Sequence, residues 1–319
     1  MIRAIALLIL ALLVPSLASA QTYPTGSINW VIPYPPGGTT DAMARLTAAR
    51  VSSVLKVPVV PLNRSGASGT VGSDTVRQAA PDGYTVLFNA SLFVLGKHLF
   101  KSLPYDPQMD FVPVARVGQA PLLVVANPGI RANTLAEFVA AAKADNKNFN
   151  FGSSSLGSAG HLATLELMRL GGLDLPIVNY RGSAPALADV MSGQVQAMTD
   201  PIAVALPMVK AGKLKALAIT TERRSPLASE IPTAAESGMP GLVMSSWYAV
   251  WLPKAVPDAV VARLAAALQA VTQDPEFTER LTALGVETVY DGPDAFRAFI
   301  AADVARNAAL LRAANYQPE

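Results

Sequence analysis

Apolar positions along the chain alternate between short unbroken runs and runs that recur with helical spacing. Ile28 to Ile32 reads as a buried strand reaching Tyr34. Met43, Leu46, Thr47, Val51, Val54 and Leu55 then share one face of a helix from about Thr40 to Lys56. The alternation continues with strand Val57–Pro61, a short helix through Val76, the turn Pro81-Asp82-Gly83 and strand Tyr84–Asn89. This β-α-β-α-β order implies a parallel sheet with helices on its faces.

A short helix is expected over Ser91–Phe100, followed by a proline-bearing connection and two extended runs, Val114–Val117 and Leu122–Ala126, separated by Pro121. Beyond them the pattern starts again. Thr134-Leu135-Ala136-Glu137 fits a capping box. Strand Asn148–Gly152, a helix from about His161 to Leu170, strand Ile177–Tyr180, helix Ala184–Ser192, strand Val195–Thr199, helix Pro201–Ala211 and strand Leu214–Thr220 follow. Ser245–Leu252 reads as a return crossover, and Val286–Tyr290 as a strand among the closing helices Asp258–Thr272, Glu276–Ala283 and Asp294–Ala314. The expectation is an α/β fold of two lobes, each a mostly parallel sheet flanked by helices, joined by two crossover strands. Residues 21–120 with 247–319 form the first lobe and 121–246 the second. The cleft between such lobes is the expected ligand site.

Composition narrows the function. Arg3, the apolar run Ala4–Val14 and the small-x-small site Ala18-Ser19-Ala20 read as a signal peptide (residues 1–20) cleaved after Ala20, which places the mature chain in the periplasm. No cysteine is present, which excludes disulfides, thiolate catalysis and a lipid anchor on cysteine. A net charge of +2 leaves no nucleic-acid footprint, and two histidines make a histidine metal site unexpected. No Walker motif, GxSxG elbow or paired-acid pattern appears, so neither cofactor nor catalytic residue is expected.

The candidate chemistry lies in two strand-to-helix turns. In the first, Tyr34, Pro35, Pro36, Gly37, Gly38, Thr39, Thr40 and Asp41 lead into a helix whose first amides are free to face an anion, with Thr39, Thr40 or Asp41 as its cap. The second, from Ser153 to His161, offers Ser153, Ser154, Ser155 and Ser158 around Gly157. Either turn alone also reads as a plain structural loop. As a facing pair they can hold one anion from two sides. Micromolar affinity needs about 8 kcal/mol, and hydrogen bonds to a charged group contribute roughly 1.5–3 kcal/mol each, so a handful can suffice without a salt bridge. Asn89 and Ser91 close a strand and are expected to line the cleft. Arg181 can pair with a carboxylate or lie in solvent. Asp200 can cap a helix or accept from a ligand. His161 can be structural or touch ligand, and Trp247 can stack on ligand or pack the hinge.

The chain resembles the receptors of tripartite tricarboxylate transporters, the Bug or TctC-like solute-binding proteins. The resemblance rests on Pro33–Asp41, Asn63-Arg64, Ala80–Thr85, Tyr105-Asp106, Gly157-Ser158 with His161-Leu162-Ala163, Tyr180–Ala186, Gly193-Gln194-Val195, Gly212–Ala218, Pro232-Thr233 and Glu236–Gly238. It implies a type II periplasmic-binding-protein fold that closes like a flytrap on a small organic carboxylate or dicarboxylate. A carboxylate would be held at the Pro35–Asp41 and Ser153–His161 turns. The family often has lysine where this chain has Arg181. The implied partner is a membrane permease, or a membrane sensor, and the receptor is expected to be a monomer. The alternative from another class is an exported hydrolase using a serine of Ser153–Ser158 with His161.

Overall fold

The computed structural model describes residues 23–180 and 182–318. The expected signal peptide with its cleavage site, and Arg181, lie outside the described residues. Among these, no helix is long and apolar enough to cross a membrane.

The strands are β1 (Ile28–Ile32), β2 (Val59–Asn63), β3 (Thr85–Ala90), β4 (Phe111–Ala126), β5 (Phe151–Ser153), β6 (Ile177–Asn179), β7 (Ala197–Pro201), β8 (Lys215–Ile219), β9 (Ser245–Pro253) and β10 (Glu287–Asp291). The helices are α1 (Thr39–Leu55), α2 (Thr70–Arg77), α3 (Gly96–Leu99), α4 (Leu135–Ala144), α5 (Ala159–Gly171), α6 (Ser183–Ser192), α7 (Ile202–Lys210), α8 (Asp258–Thr272), α9 (Pro275–Ala283) and α10 (Pro293–Ala313). The order β2-β1-β3-β9-β4-β7-β5-β6 runs across one curled mixed sheet, with β8 and β10 also paired to β4. The outer strands β2-β1-β3 and β7-β5-β6 are parallel, as βαβ connections require. The strands that cross between them, β4 and β9, run antiparallel to their neighbours.

The two extended runs expected around Pro121 are one strand of 16 residues. Before Pro121 it pairs with β9, from Phe111 opposite Pro253 to Pro121 opposite Ser245. After it, Leu122–Ala126 pairs with β7 on one side and β8 on the other. Proline lacks an amide donor but sits where the strand changes partners, so the ladder continues past it.

Both faces of the sheet are covered, and alternate residues go to opposite cores. Trp30, Phe88, Tyr248 and Val250 pack with α1, α8 and α9. Val31, Leu87, Trp247 and Trp251 pack with Phe93, Leu99 and α10. Further along β4, Val124 and Ala126 join α4 and Leu167, whereas Leu123 and Val125 join α6 and α7. Helix ends follow the expected signals: Thr134 Oγ1 accepts from the Glu137 amide at the start of α4, and Gly172 and Gly193 close α5 and α6 in left-handed conformation.

The first turn of α5 lies hard against β7. A Cβ at Gly160 would fall 2.1 Å from the carbonyl oxygen of Thr199, whereas one at Gly38 would meet nothing within 4 Å. Gly160→Ala is therefore expected to lower stability by about 1–3 kcal/mol, through displacement of α5 from β7. Gly38→Ala should leave it within about 0.5 kcal/mol. Denaturant unfolding checks both, and an unchanged midpoint for Gly160→Ala would contradict the close approach.

Candidate functional site

The first turn is built by its own side chains. Pro33 is buried against Gly72, where a Cβ would come within 2.8 Å of the Pro33 Cα. Gly37 has φ of 94°, a left-handed conformation that suits glycine. Helix α1 then starts from Gly38 as N-cap, in extended conformation and with no side-chain hydrogen bond to its first amides. Thr39, Thr40 and Asp41 therefore do not cap it, contrary to expectation. The reason is that Asp41 is committed behind the turn. Its carboxylate accepts from the Gly37 amide at 3.0 Å, from Arg45 Nε and from Asn63 Nδ2 at 2.8 Å. Burial would raise its pKa, but these bonds hold it below the usual carboxylate value. Asp41 shapes the turn rather than facing outward, and Pro35, Pro36, Gly37 and Gly38 remain exposed.

Tyr34 donates its hydroxyl to Asn89 Oδ1 at 2.9 Å, and burial raises its pKa. Asn89 is itself buried. Its oxygen also accepts from the Ala90 amide, and its Nδ2 donates to Ser73 Oγ. The polar atoms of Asn89 thus tie β3 to the first turn and to α2. Ser91 is buried beside it, at the start of a short helical stretch.

In the second turn, Ser153 donates to the Ser155 carbonyl, and Ser158 caps α5 by accepting from the His161 amide at 3.2 Å. Gly157, with φ of 70°, leans on Leu99 and Leu92 from the β3–α3 segment. Its amide donates to Nδ1 of His161 at 3.2 Å. Burial pushes His161 down to about 4, so the ring is neutral with Nδ1 already accepting. That ring nitrogen is spent on a backbone amide, and no hydrogen bond joins the ring to a serine hydroxyl among the described residues. The hydrolase dyad considered from the sequence is not assembled.

The two turns meet at Tyr248 and Asp200. The Tyr248 hydroxyl is buried against those of Ser246 and Thr39, and it lies in the field of Asp200. Burial first, then that negative charge, pushes Tyr248 up to about 12. Asp200 is the last residue but one of β7, close to Gly160 in the first turn of α5 and Ser183 at the start of α6, and is completely buried. Burial pushes it up to about 6, outweighing the nearby hydroxyls of Ser183 and Ser154, which act to lower it. Neither of its oxygens accepts a geometrically sound hydrogen bond among the described residues. Thr39 at the start of α1 and Ser154 in the second turn are thus linked through Tyr248 and Asp200.

Trp247 falls outside this convergence. It packs on Trp251, Phe296 and Phe299, and its Nε1 donates to Asp303. Strand alternation is the reason: Trp247 and Tyr248 point to opposite faces of β9, and the face turned to Thr39 is that of Ser246 and Tyr248. Those two residues, and Ser183, were missed from the sequence, although period-two spacing pairs Ser246 with Tyr248. Trp247 instead lines a cavity of about 580 Å³ with Arg116, Gln119, Arg223, Asp303 and Arg306, away from the two turns.

The buried pair of titrating groups gives opposite pH slopes. His161, lowered from 6.5 to about 4, favours the fold above pH 6.5, and that contribution is lost as pH falls toward 4. Asp200, raised from 3.8 to about 6, favours the fold below pH 3.8, and its contribution is lost as pH rises through 6. The two nearly cancel between these limits. Asp200→Asn is expected to expose the histidine slope, with an extra loss on the order of 2–3 kcal/mol between pH 6.5 and 4 relative to the parent. Urea unfolding at stepped pH measures it, and parallel curves for parent and variant would contradict the assignment.

Comparison with known proteins gives a consistent result. The model for the "Tripartite tricarboxylate transporter family receptor" matches residues 43–316. Protein BugT of Bordetella pertussis is 38% identical over 297 residues, covering 92% of this chain and 91% of that protein. The periplasmic binding protein BugD superposes with a TM-score of 0.80 at 33% identity, over 93% of this chain and 100% of that one. An R. palustris protein solved with adipate gives a TM-score of 0.84 at 32% identity, over 93% and 100%. MatC from Rhodopseudomonas palustris, solved with malate, gives 0.77 at 32% identity, over 91% and 100%. The chain belongs to the tripartite tricarboxylate transporter receptor family, whose members are periplasmic solute-binding proteins rather than enzymes.

Proposed function

We propose that this chain captures a small organic carboxylate between the Pro35–Asp41 and Ser153–His161 turns and delivers it to a membrane permease. The observation that carries the reading is the uncapped start of α1. Gly38 opens that helix with no side chain on its amides and open space where a Cβ would be, while Thr39 faces Tyr248 beside Asp200. Free amides backed by a helix dipole favour an anion, and a carboxylate matches their spacing and charge. The adipate and malate held by two related structures support the same class of ligand.

In this reading residues 21–120 with 247–319 and residues 121–246 act as two lobes hinged at β4 and β9. The second turn separates from Leu92 and Leu99 to admit ligand and returns to enclose it. Arg181 directly precedes the Gly182-Ser183 start of α6 and is proposed as the counter-ion of a second carboxylate. The receptor works as a monomer, after removal of residues 1–20.

Calorimetric titration with a panel of mono- and dicarboxylates tests the reading. Stoichiometric binding of at least one acid at micromolar affinity is expected, with the acid recovered unchanged. No acid binding tighter than about 1 mM would overturn it. Gly38→Val should keep the parent's melting temperature and weaken the acid found by about tenfold or more, because its side chain stands where the carboxylate approaches. Equal affinity in the folded variant would remove the first turn from the site.

A further inference from the structure

Asp200 is the group whose chemistry the carboxylate reading leaves unexplained. Its side chain is completely buried, yet neither oxygen accepts a geometrically sound hydrogen bond among the described residues. Native structures seldom leave a buried carboxylate in that condition, because it loses water and gains nothing in return. Its neighbours do not supply the missing partners. Thr199, beside it on β7, accepts a hydrogen bond from the Thr164 hydroxyl on α5. Ser154 and Ser183 stand near and lower its pKa, but burial outweighs them, and the Tyr248 hydroxyl lies beside those of Ser246 and Thr39. Asp189 on α6 is taken by the Tyr180 hydroxyl, and Lys210 at the far end of α7 is exposed. His161 on α5 is neutral, with Nδ1 occupied by the Gly157 amide.

The position of Asp200 matters as much as its isolation. It lies at the carboxyl end of β7, where Gly160 brings the first turn of α5 against the strand. On the other side, Tyr248 links it to Thr39 at the start of α1. In the proposed site, a ligand whose carboxylate rests on the α1 amides would extend toward Asp200, because Tyr248 adjoins both Thr39 and Asp200. A second carboxylate placed there would meet a like charge. An O–H or N–H placed there would give Asp200 the donor it lacks and gain a charge-assisted hydrogen bond.

We propose that Asp200 is a specificity residue that selects, among small carboxylates, those bearing an O–H or N–H donor on a carbon near the carboxylate held by α1. Hydroxy acids and amino acids are then preferred to unsubstituted acids of the same skeleton. The inference rests on the carboxylate reading and names the ligand class within it. Loss of one charge-assisted hydrogen bond, with the carboxylate left buried and unpaired, corresponds to a preference of about tenfold to a hundredfold.

The experiment is calorimetry at pH 7.5 with matched sets: propionate, lactate and alanine; succinate, malate and aspartate; glutarate, 2-hydroxyglutarate and glutamate. In at least one set the parent should bind the hydroxy or amino acid at least about tenfold tighter than the unsubstituted acid. Asp200→Ala should reduce that gap below about threefold. Asp200→Asn, which keeps an acceptor but not the charge, separates the sources: it retains much of a hydroxyl preference and loses an ammonium preference. Thermal melting of each variant confirms that it is folded. Should Asp200→Ala fail to fold, Asp200→Asn and the parent's own matched sets still decide. An unsubstituted acid binding as tightly as its substituted partners in every set would overturn the proposal while leaving the receptor reading intact. So would a preference undiminished in Asp200→Ala, which would leave Asp200 as a buried anion held by the two helix starts. Absence of binding by every acid would overturn the receptor reading, and this proposal with it.

Discussion

Strand β4 is paired along its whole length, and that constraint sets the rest of the molecule. Before Pro121 it is held by β9 and β10, and after Pro121 by β7 and β8. The two parallel groups of strands are therefore joined through the same strand, with its change of partners at Pro121. Tyr248 sits on β9 opposite Gly118, and Asp200 on β7 opposite Leu123, both registered to the same strand. The meeting of the two turns follows from this shared register.

The electrostatics are correspondingly spare. Asp41 neutralises Arg45 behind the first turn, and Asp303 and Arg306 pair behind β9. At the convergence the described groups are hydroxyls, helix starts and one buried carboxylate. Such a surface binds through oriented dipoles, which keep their strength where water is excluded. It also separates two tasks. In the proposed site the amides of α1 hold a carboxylate common to many ligands, and Asp200 distinguishes what is attached to it.

Much of this was legible in the sequence, for identifiable reasons. The alternating pattern located the strands and helices, because apolar runs and capping residues act locally. The helix Asp258–Thr272 is found as expected, and the Thr134 capping interaction forms. The glycines of the first turn were visible as a place of backbone approach. What the sequence hid depends on contacts between distant segments. Asp41 reads as a possible helix cap, but its carboxylate is shared with Asn63 of β2, a contact the local sequence does not show. Both faces of β9 are buried, so apolar character does not reveal that Tyr248, and not Trp247, lies on the face turned to Thr39. The single strand through Pro121 was hidden because proline ordinarily interrupts a ladder. His161 drew attention as a possible base, but a backbone amide four residues earlier occupies its Nδ1.

The central claim is that the ligand's carboxylate lies between the α1 turn and the Ser153–His161 turn. A crystal structure of the chain with its tightest-binding acid tests it most directly. The account predicts carboxylate oxygens within hydrogen-bonding distance of the amides that follow Gly38, with the remainder of the acid beside Asp200 and Tyr248. An acid found instead in the Arg116–Arg306 cavity, with the two turns unoccupied, would contradict it.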